Sequence, residues 1–258
     1  MNLETFVTWS LPGAFALLAV LEAAMPARRF PDRPHWWLKG LLWFAASFLT
    51  ASFVAAQVDP LLAPYTLLDI SSWGMLPGAV AGFFVYEAGV YAWQRLIHTV
   101  PFLWRWHQTH HAAERLDVWS AWHFHPIDLT MFTLVASVGG IVVLGLSLES
   151  ALLVALAGNT LTMFQHSNLR TPVWLGWFVM RPEQHRAHHE RGVHWGNFGD
   201  IALFDWLFGT YANPERMDAP VGFYDGASDE LGALLWGADL QASWSRGSHG
   251  DDAVLQRE

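Results

Sequence analysis

The chain has 258 residues, 53% of them hydrophobic and 14% charged, against roughly 25% charged residues in an ordinary soluble domain. With a mean hydropathy of +0.22 it reads as an integral membrane protein. A formal charge of −9 excludes a nucleic-acid partner, which needs a basic face, and the lack of cysteine excludes disulfides, cysteine-ligated clusters and thiolate haem.

In chain order, residues 6–24 predict a first apolar span, long enough at about 1.5 Å per residue to cross a hydrocarbon core of about 30 Å. It has no basic leader and no evident cleavage site, so it reads as a retained helix rather than a signal peptide. Arg28, Arg29, Arg33 and Lys39 follow around two prolines, as in a cytoplasmic loop. The second span is expected over 40–58. Residues 59–77 carry prolines but no Lys or Arg, as expected of an outer loop lying on the interface. The third span, 78–97, leads into a histidine-rich segment. Beyond Pro126 an apolar run too long for one crossing divides near Gly145 to Ser150, predicting spans at 128–145 and 150–166 joined by a hairpin. From Asn168 onward the text is polar and aromatic, and 230–258 is expected to be a flexible tail. The expected fold is all-α: one domain over 1–258, a membrane bundle of about five spans with a cytosolic, histidine-lined cap.

Eleven of the thirteen histidines fall between His98 and His194. His107, His110 and His111 stand at i, i+3 and i+4, so three imidazoles leave one helix face. His185, His188 and His189 repeat the spacing, which suggests two half-sites closing on one centre. Lys and Arg cluster after the first span, at and after the end of the third, and beyond the fifth. The positive-inside rule then brings both triplets and His166 to the cytoplasmic side. Imidazole suits Zn, Fe, Cu and Ni alike. The ligands outnumber the roughly four to six positions around one ion and suit two ions. Two irons with positions open to dioxygen would serve oxidation of a lipid C–H bond at a water-poor site. A non-redox zinc membrane protein is the other reading. Transport is disfavoured by the lack of charge in the middle of spans two, four and five, and a His-Glu-x-x-His hydrolase by the lack of Glu in both triplets.

From Glu87 to Tyr211 the chain resembles the fatty acid hydroxylase and sterol desaturase superfamily of membrane di-iron oxygenases. The resemblance is carried by Glu87 with Tyr91 and Trp93, PFLWRWHQTHH, HFHP at 123–126, FQHSN at 164–168, RPEQHRAHH, HWGNFG and DWLFGTY. It implies hydroxylation or desaturation of a lipid in the bilayer, with two Fe ions (or Zn as isolated), O2 as co-substrate, and a separate electron donor of reductase, cytochrome or ferredoxin type. The implied ligands are His98, His107, His110, His111, His166, His185, His188 and His189, with His125 and His194 as ligands or as donors behind them. His123 stands where relatives carry Arg and is expected to be a polar contact. Glu87, Asn168 and Asp205 are expected behind the ligands, Asn168 and Asp205 orienting imidazoles, with a helix cap as the alternative for Asp205. The chain departs from the family's His-Arg-x-x-His at Gln94, one turn before His98. A carboxamide oxygen is a weaker, harder donor, leaving three outcomes: a more open iron that still works, a different metal, or a site without turnover.

Overall fold

A computed structural model describes residues 3–241. In chain order come α1 (Leu3–Ala24), α2 (Trp36–Leu62), α3 (Met75–Thr99), α4 (Pro101–His111), α5 (Pro126–Ser137) and α6 (Leu148–His166), all of which build the bundle except α4, which lies in the cap. The short α7 (Pro182–His188), α8 (Ala202–Phe208) and α9 (Leu231–Leu235) belong to the cap, which comprises 99–125 and 167–241. No strand occurs among the described residues.

Four segments are long and apolar enough to cross a membrane: Thr5–Ala24, Trp36–Tyr65, Met75–Thr99 and Pro126–Val143. The expected fifth span, 150–166, falls on α6, a helix packed on α1 and α3 that is not among these four, since Asn159, Thr160, Thr162, Gln165 and His166 leave it less apolar. Along the spans large side chains such as Phe48, Leu49 and Phe53 point outward, where a bilayer replaces water as solvent. Inside, glycine permits close approach. A Cβ on Gly158 of α6 would lie 2.7 Å from the Tyr86 ring of α3, and one on Gly82 would lie 2.6 Å from Leu146.

Helix starts follow local chemistry. Proline occupies the first turn of α4, α5 and α7, where a missing N–H costs nothing. Ser147 caps α6 by accepting from the Ser150 N–H. α5 runs on as a π-helix over Val138–Val143, where the Gly139–Gly140 pair removes side chains that would resist the wider turn. The Ile141 carbonyl, which accepts the Gly145 N–H at 3.1 Å, also accepts from Thr66 Oγ1 at 3.0 Å, and the Val142 carbonyl accepts from the Leu67 N–H at 2.7 Å.

Buried polar contacts fix the cap to the bundle. Glu22, at the end of α1, accepts the backbone N–H of both Val118 and Asn168 at 3.0 Å. Asp117 accepts from the Trp36 indole at 2.9 Å, and Lys39 of α2 donates to the Ser228 carbonyl at 2.6 Å. The expected tail is partly folded. Residues 231–241 pack on α4, with Leu234 and Leu240 buried against Ala112, Phe223 and Ala227, because an apolar pair at this spacing finds a partner surface. Only 242–258 of that expectation lies outside the described residues.

Candidate metal centre

Eight imidazoles meet at one end of the bundle. His98 comes from the last turn of α3, His107, His110 and His111 from α4, His166 from the end of α6, and His185, His188 and His189 from α7 and its C-cap. They form two groups of four, His98, His107, His111 and His188 in one and His110, His166, His185 and His189 in the other. Within each group one ring nitrogen per residue lies within 4.8 Å of the rest. The groups touch, since the rings of His111 and His189 stack at 4.0 Å.

The triplets do not make one half-site each, as the spacing suggested. Each is split between the groups. His107 and His111 join one while His110 turns to the other, and His185 and His189 join that other while His188 crosses back. On a helix the i+4 side chain sits about 40° round from i, and the i+3 side chain about 60° the opposite way, so one face fans out towards two points.

The nitrogens are spaced for metal. Nε2–Nε2 separations are 3.1 Å for His107–His111, 3.2 Å for His110–His166, 3.2 Å for His166–His185 and 3.1 Å for His185–His189. At a metal–nitrogen distance of about 2.0–2.1 Å such pairs subtend about 100° at a shared ion. The far sides of several rings fix the tautomer. His98 Nδ1 donates to the His194 carbonyl at 2.8 Å, His188 Nδ1 to the Gly196 carbonyl at 2.7 Å, and His166 Nδ1 to the Thr162 carbonyl at 2.7 Å. A carbonyl only accepts, so the proton sits on Nδ1 and Nε2 keeps its lone pair. Nε2 of His98 and of His188 is buried with no protein partner, as a nitrogen waiting for an ion would be. Burial holds His188 at about 3 and pushes His110, His111, His185 and His189 well below the ordinary imidazole range, with neighbouring rings adding to the effect. Neutral imidazoles are the form that binds metal.

His107 Nδ1 lies 2.8 Å from Asp128 Oδ2, both buried. The sequence reading missed Asp128, whose signal is an Asp in the first turn of the helix begun by HFHP. His194 Nδ1 stands 3.0 Å from His111 Nδ1, and since His111 Nε2 faces His107, the outer nitrogen is the one that meets His194. His125 is corrected from ligand candidate to helix cap: its Nδ1 accepts the Ile127 N–H at 3.0 Å, and its ring lies against Trp106, outside both groups. His123 sits between the Trp36 and Trp43 rings, at 5.1 and 5.7 Å.

The residues expected behind the ligands bond to the loops around the imidazoles rather than to the imidazoles. Asn168 accepts the Arg28 N–H and donates to the Arg28 carbonyl, holding the loop after α1. Asp205 accepts from the N–H groups of Phe198 and Gly199 and from Thr210 Oγ1, shaping the loop that supplies the His194 and Gly196 carbonyls. Glu87 accepts the Asp200 N–H at 3.2 Å, and Asp200 in turn accepts from Gln165 Nε2 at 2.8 Å. Burial raises the Asp200 carboxyl to about 7.

A cavity of about 570 Å³ begins at His110, His166 and His185 and runs between α2, α3, α5 and α6. Gln94, Gln165 and Asp200 line its metal end, and Gln94 Oε1 is buried there without a partner. Its walls are mostly apolar, with alanines such as Ala51, Ala55, Ala136 and Ala155 beside Phe124 and Phe132 and a few polar groups such as Asn159 and Thr162. At the far end Ser137 Oγ donates to Asp59 at 2.6 Å.

Ornithine lipid hydroxylase OlsE of Rhizobium tropici is 31% identical over 218 residues, covering 78% of this chain and 65% of that relative. The chain thus spans less than two thirds of the relative's length. No solved structure matches. The sequence profile of the fatty acid hydroxylase family matches residues 79–210, the stretch from α3 to just past α8 that holds all eight clustered imidazoles, and the chain belongs to that family.

Proposed function

We propose that the protein hydroxylates a membrane lipid, with two iron ions held by His98, His107, His111 and His188 and by His110, His166, His185 and His189. The observation that carries this reading is the cavity, apolar along its walls and ending on three of those imidazoles. When bound, such an ion pair supplies activation of dioxygen, with two electrons from a separate reductase, cytochrome or ferredoxin, for oxidation of a C–H bond. The chain's own residues do the rest. The alanine-lined walls take an apolar chain and exclude water from its length, and the metal end presents the polar acceptors Gln94, Gln165 and Asp200 to the reacting part of the lipid. Gln94 lines this end with its oxygen buried and unpartnered, and the eight imidazoles still gather in two groups of four without it, so the departure from the family pattern leaves the centre open rather than dismantled. The Arg and Lys distribution supports a site on the cytoplasmic side.

Ornithine lipid, from the relative's name, is the first substrate to test. The protein, expressed in a bacterium that makes that lipid, is expected to yield a product one oxygen heavier, the atom coming from isotope-labelled dioxygen. Loss of two hydrogens instead would mean desaturation. A purified protein holding zinc tightly, with no oxygen consumption under single-turnover conditions even after iron loading and Gln94→His, would favour the non-redox reading and overturn this one.

A further inference from the structure

The two groups of imidazoles differ in what stands behind them. In the first, every Nδ1 meets a partner: Asp128 for His107, the His194 carbonyl for His98, the Gly196 carbonyl for His188 and, ring nitrogen to ring nitrogen, His194 Nδ1 for His111. In the second, only His166 is so held, by the Thr162 carbonyl. Nδ1 of His110, His185 and His189 is buried without a protein partner. The cavity contacts only the second group, through His110, His166 and His185.

Hydrogen bonds behind a ligating imidazole fix its orientation and raise its basicity, and losing one typically costs about 10–100-fold in metal affinity. We propose that the two metal positions are inequivalent: the one bounded by His98, His107, His111 and His188 holds its ion permanently, while the cavity-facing one holds an exchangeable ion and meets the substrate. This rests on the two-ion reading above. His194 is then a positioning residue serving two ligands of the firm position, its carbonyl taking His98 and its Nδ1 taking His111. It is held with φ at +46°, a conformation seldom adopted by non-glycine residues and consistent with a loop bent to deliver both atoms.

The test uses the full chain in detergent, loaded with Zn²⁺ and separately with Fe²⁺, and equilibrated against graded chelator with residual metal counted by mass spectrometry. Wild type is expected to lose its ions in two steps of one ion each, separated by at least about 100-fold in Kd. His185→Ala should abolish the weak step and leave the firm one. His194→Ala should weaken the firm step by about 10-fold or more without moving the weak one, and His194→Asn, which tolerates positive φ and offers an acceptor oxygen, should recover part of the loss. A single two-ion step in wild type, or His185→Ala emptying the firm position, overturns the inference, and neither result needs the His194 variants to fold. A chain holding less than one ion would instead sink the two-ion reading itself.

Discussion

Asp128→Ala isolates one contact behind the centre. The carboxylate is 2% exposed, and its Oδ2 stands 2.8 Å from Nδ1 of His107, whose ring is fully buried. Removing it leaves a buried N–H with no acceptor and frees the ring to rotate away from His111, whose Nε2 is 3.1 Å from its own. A hydrogen bond to a charged group is worth about 1.5–3 kcal/mol, and about 1.4 kcal/mol is tenfold in an equilibrium constant, so the affinity of one metal position should fall about 10–150-fold. Asp128→Asn keeps an acceptor oxygen but loses the charge and should fall roughly midway. The assay is competition with a zinc-responsive dye on purified protein, reporting the number of ions and each Kd. One ion should weaken and the other stay put. Because Asp128 also sits in the first turn of α5, where an acid is worth about 0.3–1 kcal/mol, and its loss strands the His107 N–H at about 1–3 kcal/mol, the metal-free variant should melt lower by roughly 2–4 °C per kcal/mol, and the ions are counted below that transition. The reasoning fails if Asp128→Ala binds both ions as wild type does, or if both weaken equally.

Arg181 is fully buried and ties Thr171, Asn213 and the Pro214 carbonyl together beside Glu183 at 3.1 Å. Arg181→Met strands that carboxylate and should cost about 3–5 kcal/mol, read as a lower melting temperature in detergent; a shift under a degree or two would contradict the network's role. Ala136→Trp and Ala155→Trp narrow the cavity from opposite walls and should reduce lipid turnover by roughly tenfold or more while metal content is kept, since open space rather than packed core receives the ring. Full activity in both variants would move the substrate elsewhere. Metal-free protein should also show an acid limb. His188 and His194, held at about 3 by burial, stay neutral in the fold while the unfolded chain protonates near 6.5, so stability is full above about 6.5 and falls as pH drops towards about 3. Asp200, raised by burial from 3.8 to about 7, has the opposite sign, its contribution being lost as pH rises through about 7. Melting of the chelated protein should therefore peak near neutrality, and a steady gain of stability into acid would refute the assignment.

The sequence carries the spans and the histidine spacing because both are one-dimensional signals. Apolar length needs no partner to be seen, and i, i+3, i+4 is fixed by one helix alone. What it does not carry is pairing across elements. Nothing in HQTHH says that His110 parts from its neighbours to join His166 and His185, since that depends on where α6 and α7 end in space. The groups that orient the rings are mostly carbonyls, those of Thr162, His194 and Gly196, and a carbonyl has no residue type to read. Asp128 is legible only after the fact, twenty-one positions from its histidine. His125 looked like its neighbours because a helix cap and a ligand ask for the same lone pair. Leu234 and Leu240 were hidden by the glycine, serine and aspartate around them, yet two leucines suffice when Ala112, just past the end of α4, offers a seat.

A centre of this kind burdens the fold that builds it. Eight imidazoles are withdrawn from water, and at least five of their nitrogens, Nε2 of His98 and His188 and Nδ1 of His110, His185 and His189, are buried with no protein partner. Each such group costs about 1–3 kcal/mol, a sum comparable to the net stability of a domain, about 5–15 kcal/mol. The bundle does not depend on these residues, because α1, α2, α3, α5 and α6 pack through their own apolar faces. The cap does, since α7 and the loop to α8 have little apolar interior beyond Met180, Phe198 and Ile201. Ions that ligate the Nε2 atoms satisfy those of His98 and His188 and bind only the folded cap, so at a free concentration 1,000 times Kd each would add about 4 kcal/mol against the rest of the cost. Chelation should thus open the region around α7 and the 190–201 loop while the spans stay folded, seen as faster amide exchange and new protease cuts there and none in α3 or α5. Equal protection of the cap with and without chelator would mean that packing alone holds these rings together.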